Sequence, residues 1–84
     1  KGSVQEAIAA HYEQFVDDHG QPNPGGTGFP EPGAVRCVGI KAFMDYAVSK
    51  TVGDRAEFRV QRAIEGMAAR KYFIINGGLI WRPI

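Results

Sequence analysis

From Val4 to Val16, apolar or aromatic side chains return at every third or fourth position: Val4, Ile8, His11, Tyr12, Phe15 and Val16. That spacing gathers them on one stripe of an α-helix. Ser3-Val4-Gln5-Glu6 reads as a capping box, in which a hydroxyl and a carboxylate each satisfy an orphan amide, and Gly20 behind His19 reads as the stop. Ile40, Phe43, Met44, Ala47 and Val48 mark a second helical stripe ending near Lys50. A third, Ala56, Val60, Ala63, Ile64 and Met67, opens behind Asp54-Arg55-Ala56-Glu57, again a cap followed by a glutamate, and runs to about Lys71. Between the first two helices, Ala34 to Val38 suits a short strand. The chain closes on two apolar runs, Tyr72 to Ile75 and Leu79 to Trp81, around Asn76-Gly77-Gly78. Such a turn accepts the positive φ values of a tight β-hairpin.

An isolated hairpin is at best marginally stable in water, so this one must lean on something. Its two faces are legible from the pairing: Tyr72, Ile74, Leu79 and Trp81 on one, Phe73, Ile75, Ile80 and Arg82 on the other. Both faces are apolar, whereas a half-exposed hairpin alternates apolar with polar. One face can meet the helices. The other needs cover from helix 1, from the segment 21–33, from a second copy, or from more of a longer chain. That segment, QPNPGGTGFPEPG, holds four prolines and four glycines and is expected to be an irregular connecting loop. Its GGTG is not a phosphate loop, since no Lys-Ser/Thr follows and no helix opens there.

The order helix, strand, helix, helix, hairpin predicts an α+β fold, mainly α: a winged helix-turn-helix with a small antiparallel sheet, residues 1–84 forming a single domain. Only Thr51-Val52-Gly53 separates the second and third helices, the short turn such a motif uses. The early strand should pair with the hairpin.

Composition narrows the choices. The 84 residues, 44% of them hydrophobic, suit one small globular domain. No apolar run approaches the roughly 20 residues of a membrane span, and nothing at the start resembles a signal peptide. Cys37 is the sole cysteine and has no partner for an internal disulfide. A cytoplasmic chain with a buried thiol is expected. The first residue is Lys1 rather than methionine, so a domain cut from a longer protein is expected too. Net charge is only +1, so a nucleic-acid binder would have to concentrate its positive charge on one side.

Helix 3 offers such a side. At about 100° per residue, Arg55, Arg59, Arg62, Gly66 and Arg70 fall together on a flank away from the apolar stripe, with Phe58 and Ala69 at its margin. Arginine suits bidentate contact with phosphate or with guanine edges. The alternative is a solvated face whose arginines pair with carboxylates such as Glu65. Lys41, Lys50, Asn76 at the hairpin tip and Arg82 could add contacts to a nucleic-acid backbone. Enzyme chemistry is thin. His11 and His19 stand too far apart for one metal without other ligands, Asp17-Asp18-His19 reads as a polar helix end, and Cys37 has no base nearby in sequence. No catalytic set, metal site or cofactor fingerprint is expected.

Val35-Arg36-Cys37-Val38 with Phe43, Val60-Gln61-Arg62-Ala63 and Leu79-Ile80-Trp81 together resemble the C-terminal region of the RecA-like (AAA-type) ATPases of plasmids, phages and other mobile elements, the replication-helicase type. Two positions depart from that pattern: Phe43 stands where tryptophan is usual, and Val60 where phenylalanine is usual. The resemblance implies a DNA-associated accessory domain of a replication protein, beside an ATPase core whose nucleotide-binding motifs are absent from these residues. The sequence thus predicts a non-catalytic domain binding DNA, in duplex form, through helix 3 in the major groove with the hairpin as wing. Arg55, Arg59 and Arg62 would serve groove or phosphate, Arg70 and Lys50 the backbone, and Asn76 the wing. The rival is a protein-docking or dimerising winged helix that uses the hairpin. A small enzyme, which would need a cleft of convergent titratable groups, is the third.

Overall fold

The computed structural model describes residues 3–31 and 33–83. Its first helix, α1 (Ser3–His19), buries Ile8, Tyr12 and Phe15 and half-buries Val4 and Val16, the stripe read from the spacing. The capping box drawn on Ser3 lies outside the described side chains. Gly20 ends α1 because nothing larger fits: a Cβ there would stand 2.5 Å from the Val16 carbonyl oxygen, to which the Gly20 amide donates at 2.8 Å. Arg36 reaches back to the same corner and donates from Nη2 to the Gly20 carbonyl at 2.7 Å, a cation at the negative end of the helix.

Segment 21–33 was expected to be wholly irregular, and its first two residues are not. β1 (Gln21–Pro22) pairs antiparallel with β2 (Arg36–Gly39), Gln21 opposite Cys37 and Pro22 opposite Arg36. Proline is tolerated because β1 is an edge strand, where a missing ladder donor costs least. The remaining glycines and prolines carry the chain around the sheet.

Helix α2 (Ile40–Ser49) follows β2 directly, and its first amide donates to the Gly78 carbonyl of the hairpin turn at 2.9 Å. It buries Phe43 and Ala47. Helix α3 (Ala56–Ala69) buries Val60, Ala63, Ile64 and Met67. Asp54 was expected to cap α3, and it does not. The N-cap is Arg55, held in the left-handed region at φ 61° and ψ 35° with no side-chain cap hydrogen bond. Lys71 at φ 66° closes the other end, its amide on the Ala68 carbonyl and the Tyr72 amide on that of Met67, a Schellman arrangement built without glycine.

β3 (Ile74–Asn76) and β4 (Leu79–Trp81) form the hairpin across Gly77 and Gly78, both at positive φ. The four antiparallel strands run in the order β1-β2-β4-β3, with Val38 opposite Ile80 and Ile75 opposite Ile80 on its other side. The class is therefore α+β, three helices with a four-stranded antiparallel sheet. Phe73 and Ile80 face the helices, where Tyr12, Phe43 and Phe73 meet at ring separations of 5.0–6.2 Å. Trp81 lies on the opposite face and is nonetheless buried. Phe29 stacks on it at 5.4 Å, and Asn76 ties the loop down by donating to the Gly28 carbonyl at 3.1 Å. The second apolar face of the hairpin is thus covered by the chain's own Pro/Gly loop. No helix among the described residues is long and apolar enough to cross a membrane.

Candidate nucleic-acid interface

The basic flank of α3 divides into engaged and presented groups. Arg59 is engaged. Its Nη2 donates to the Val52 carbonyl at 2.6 Å and its Nε to that of Asp54 at 3.1 Å, so the guanidinium is folded back on the turn between α2 and α3. Gly53, at φ +99°, gives it room: a Cβ there would stand 3.1 Å from Arg59 Nη2. Arg59 therefore does not project into water as its wheel position suggested, because the α2–α3 turn places two backbone carbonyls within reach of its fork. Arg70 is engaged as well, donating from Nη2 to the side-chain oxygen of Gln5 across the α1–α3 seam.

Arg55 and Arg62 are presented. Both are exposed, and neither forms an ion pair among the described residues, where the pairs are Lys41–Asp45 and Arg82–Glu13. The expected carboxylate partner, Glu65, instead accepts from Gln61 at 3.3 Å. What the two guanidinium groups share is Phe58, with Arg55 4.5 Å and Arg62 5.6 Å from its ring centre. Phe58 itself is 46% exposed. It was placed at the margin of the flank by the wheel, and the structure makes it the centre. The i−3 and i+4 spacing of two arginines about a phenylalanine was the signal in the sequence.

Phe58 also divides α3 by charge. On the α2 side, Glu57 and Gln61 line a groove with Ile40, Met44 and Val48. On the α1 side, Arg59 and Arg62 line an open groove of about 500 Å³ with Val4, Gln5 and Phe58, floored by Ala63 and Gly66. Gly66 lets the Gln5 amide lie close over α3, since a Cβ there would already stand 3.0 Å from the amide nitrogen.

The remaining sequence candidates separate in the same way. Lys50, the C-cap of α2, is exposed and lies over the Tyr46 ring at 5.4 Å. Asn76 is committed to Gly28, which removes it as a free wing tip. Arg82 is a clamp, 3.8 Å over the Tyr72 ring and bonded to the Tyr72 carbonyl, with Glu13 at 3.9 Å. Lys41 shares its charge with Asp45.

The histidines of α1 serve as aromatic contacts, His11 edge-on to Tyr46 and His19 against Phe15. No three His, Cys, Asp or Glu side chains gather as a metal centre among the described residues. Cys37 is fully buried, and burial pushes its thiol above the ordinary value, away from a reactive thiolate. Tyr12 is pushed up to about 12, chiefly by burial, with the buried thiol and Glu13 adding to it. No family model, no curated protein and no solved structure matches the chain.

Proposed function

We propose that this chain is a winged-helix DNA-binding domain that meets the phosphate backbone with the outer side of α3. The observation carrying this is the pair Arg55 and Arg62: two exposed guanidinium groups on one helix side, unpaired with carboxylate among the described residues. Two such cations supply charge-assisted contacts to phosphate oxygens, with Lys50 beyond the turn as a third. The α2–turn–α3 arrangement and the hairpin that anchors to the N-terminus of α2 support the winged-helix assignment. A place beside the ATPase core of a replication protein, suggested by the sequence resemblance, belongs to the same proposal. The rival docking role for the hairpin keeps less support, because Phe29 covers Trp81 and leaves Ile75, 42% exposed, as the main apolar group on offer there.

The test is fluorescence anisotropy of labelled DNA against rising salt for the chain and for an Arg55→Gln/Arg62→Gln double variant. The chain should bind with an affinity falling linearly in log[salt], and the double variant should bind more weakly with a slope smaller by roughly 2. An unchanged slope in the double variant would refute the assignment.

A further inference from the structure

Resting on the nucleic-acid reading above, we infer that the groove between α1 and α3 takes an unpaired nucleobase of a single strand, stacked on Phe58 with its phosphates on Arg55 and Arg62. The starting point is an anomaly. A phenylalanine 46% exposed in the middle of a charged helix face contributes little to the core, yet two guanidinium groups are parked on its ring. A cation over an exposed ring is weakly held, so either arginine can leave for a phosphate, where its contact is stronger and bidentate. Each departure uncovers part of an aromatic face, and a nucleobase is the group that brings both a π-face and a phosphate to the same place.

The groove beside that ring has the shape for it. Val4, Ala63 and Gly66 line it with small apolar groups, and the Gln5 amide, its oxygen held by Arg70, keeps an NH2 of the kind that bonds base edges. It is wide and shallow, a surface on which a planar group can lie rather than a cleft that encloses one. Charge favours this side: the α2 groove carries Asp45 and Glu57 against Lys41, while Arg62 lines this one with no carboxylate beside it among the described residues. A duplex fits poorly, because its bases keep their faces stacked and α1 flanks the groove. A single strand can bend in and lay one base flat.

The experiment compares the chain with Phe58→Leu and Phe58→Trp, titrated into a labelled oligo-dT and into a duplex of equal length at several salt concentrations, with circular dichroism confirming the fold of each variant. Leucine keeps the apolar volume and loses the π-face, and tryptophan restores it. Binding to oligo-dT should exceed binding to the duplex. Phe58→Leu should lose about ten- to a hundred-fold on oligo-dT with an unchanged salt slope and little change on the duplex. Phe58→Trp should retain the affinity, with its emission quenched on binding. Leucine binding oligo-dT as tightly as phenylalanine, or losing both ligands equally, overturns the inference. A chain that binds the duplex with the arginine-dependent slope but prefers no single strand overturns this inference and leaves the DNA reading standing. A chain that binds neither overturns both.

Discussion

Replacing Arg59 by lysine keeps the charge and removes the fork. The guanidinium holds two carbonyls at once, Val52 at 2.6 Å and Asp54 at 3.1 Å, from a half-buried position beside Gly53. An ammonium on a flexible stem can satisfy one of them. The variant therefore loses about one charged hydrogen bond, which solvent access reduces to about 1 kcal/mol. Arg59→Ala loses both bonds and the packed stem, about 2 kcal/mol. In a domain of this size 1 kcal/mol corresponds to a shift of about 4–8 °C in Tm. The control is Arg62→Lys, exposed and bonded to no backbone group, which should stay within about 0.5 kcal/mol of the parent. Urea denaturation followed by circular dichroism, with Tm from the same samples, gives both numbers. An Arg59→Lys variant as stable as Arg62→Lys, at equal m-value, would refute the assignment of Arg59 to the turn. The result also bears on binding experiments: a variant neutralising Arg55, Arg59 and Arg62 together would mix a folding defect with a lost contact, so only Arg55 and Arg62 belong in that test.

Three further outcomes follow from local geometry. Lys71 occupies the left-handed position of the Schellman arrangement at φ 66°, so Lys71→Gly should stabilise the chain by about 0.5–1 kcal/mol in the same denaturation assay. Phe29→Ala should uncover Trp81, the sole tryptophan, shifting its emission to the red and costing about 2 kcal/mol from lost stacking and burial. The Tyr12 hydroxyl is pushed from 10.0 to about 12 in the folded chain, so its contribution to stability is intact below pH 10 and is lost as pH rises through 12. Within that window Tyr12→Phe should show a stability curve shallower than the parent's by about 1.4 kcal/mol per pH unit, read from urea midpoints at each pH.

Periodic features were legible because burial enforces them. The stripes Ile8/Tyr12/Phe15, Phe43/Ala47 and Val60/Ala63/Ile64/Met67 are all buried as the 3.6-residue spacing required, and the paired residues Ile74/Trp81 and Ile75/Ile80 share faces as the pleat dictates. The alternation fails just before β3, where Tyr72 packs on the core and under Arg82, the residue read onto the other face. The pairing of β2 with β4 came from element order alone. Aperiodic features were not. β1 is two residues long and carries no pattern. Phe29 lies in a loop, where nothing in the spacing says which way a side chain turns. The helical wheel of α3 treated four arginines as one solvent face, yet α1 packs along part of that flank and offers Gln5 to Arg70, while the turn offers carbonyls to Arg59. Backbone acceptors of this kind leave no trace in residue identity. The left-handed Arg55 likewise displaced Asp54 from the cap through a backbone conformation that arginine rarely adopts.

Mapping the contact residue by residue puts the α3 interface to the most direct trial. An amide-resolved NMR titration of the chain with oligo-dT at low salt should perturb Arg55 through Arg62, Gly66 and the α1 residues Val4 and Gln5 across the groove, while Ile74 to Asn76 and Phe29 stay in place. Perturbations confined to the hairpin and its covering loop, with α3 silent, would contradict it.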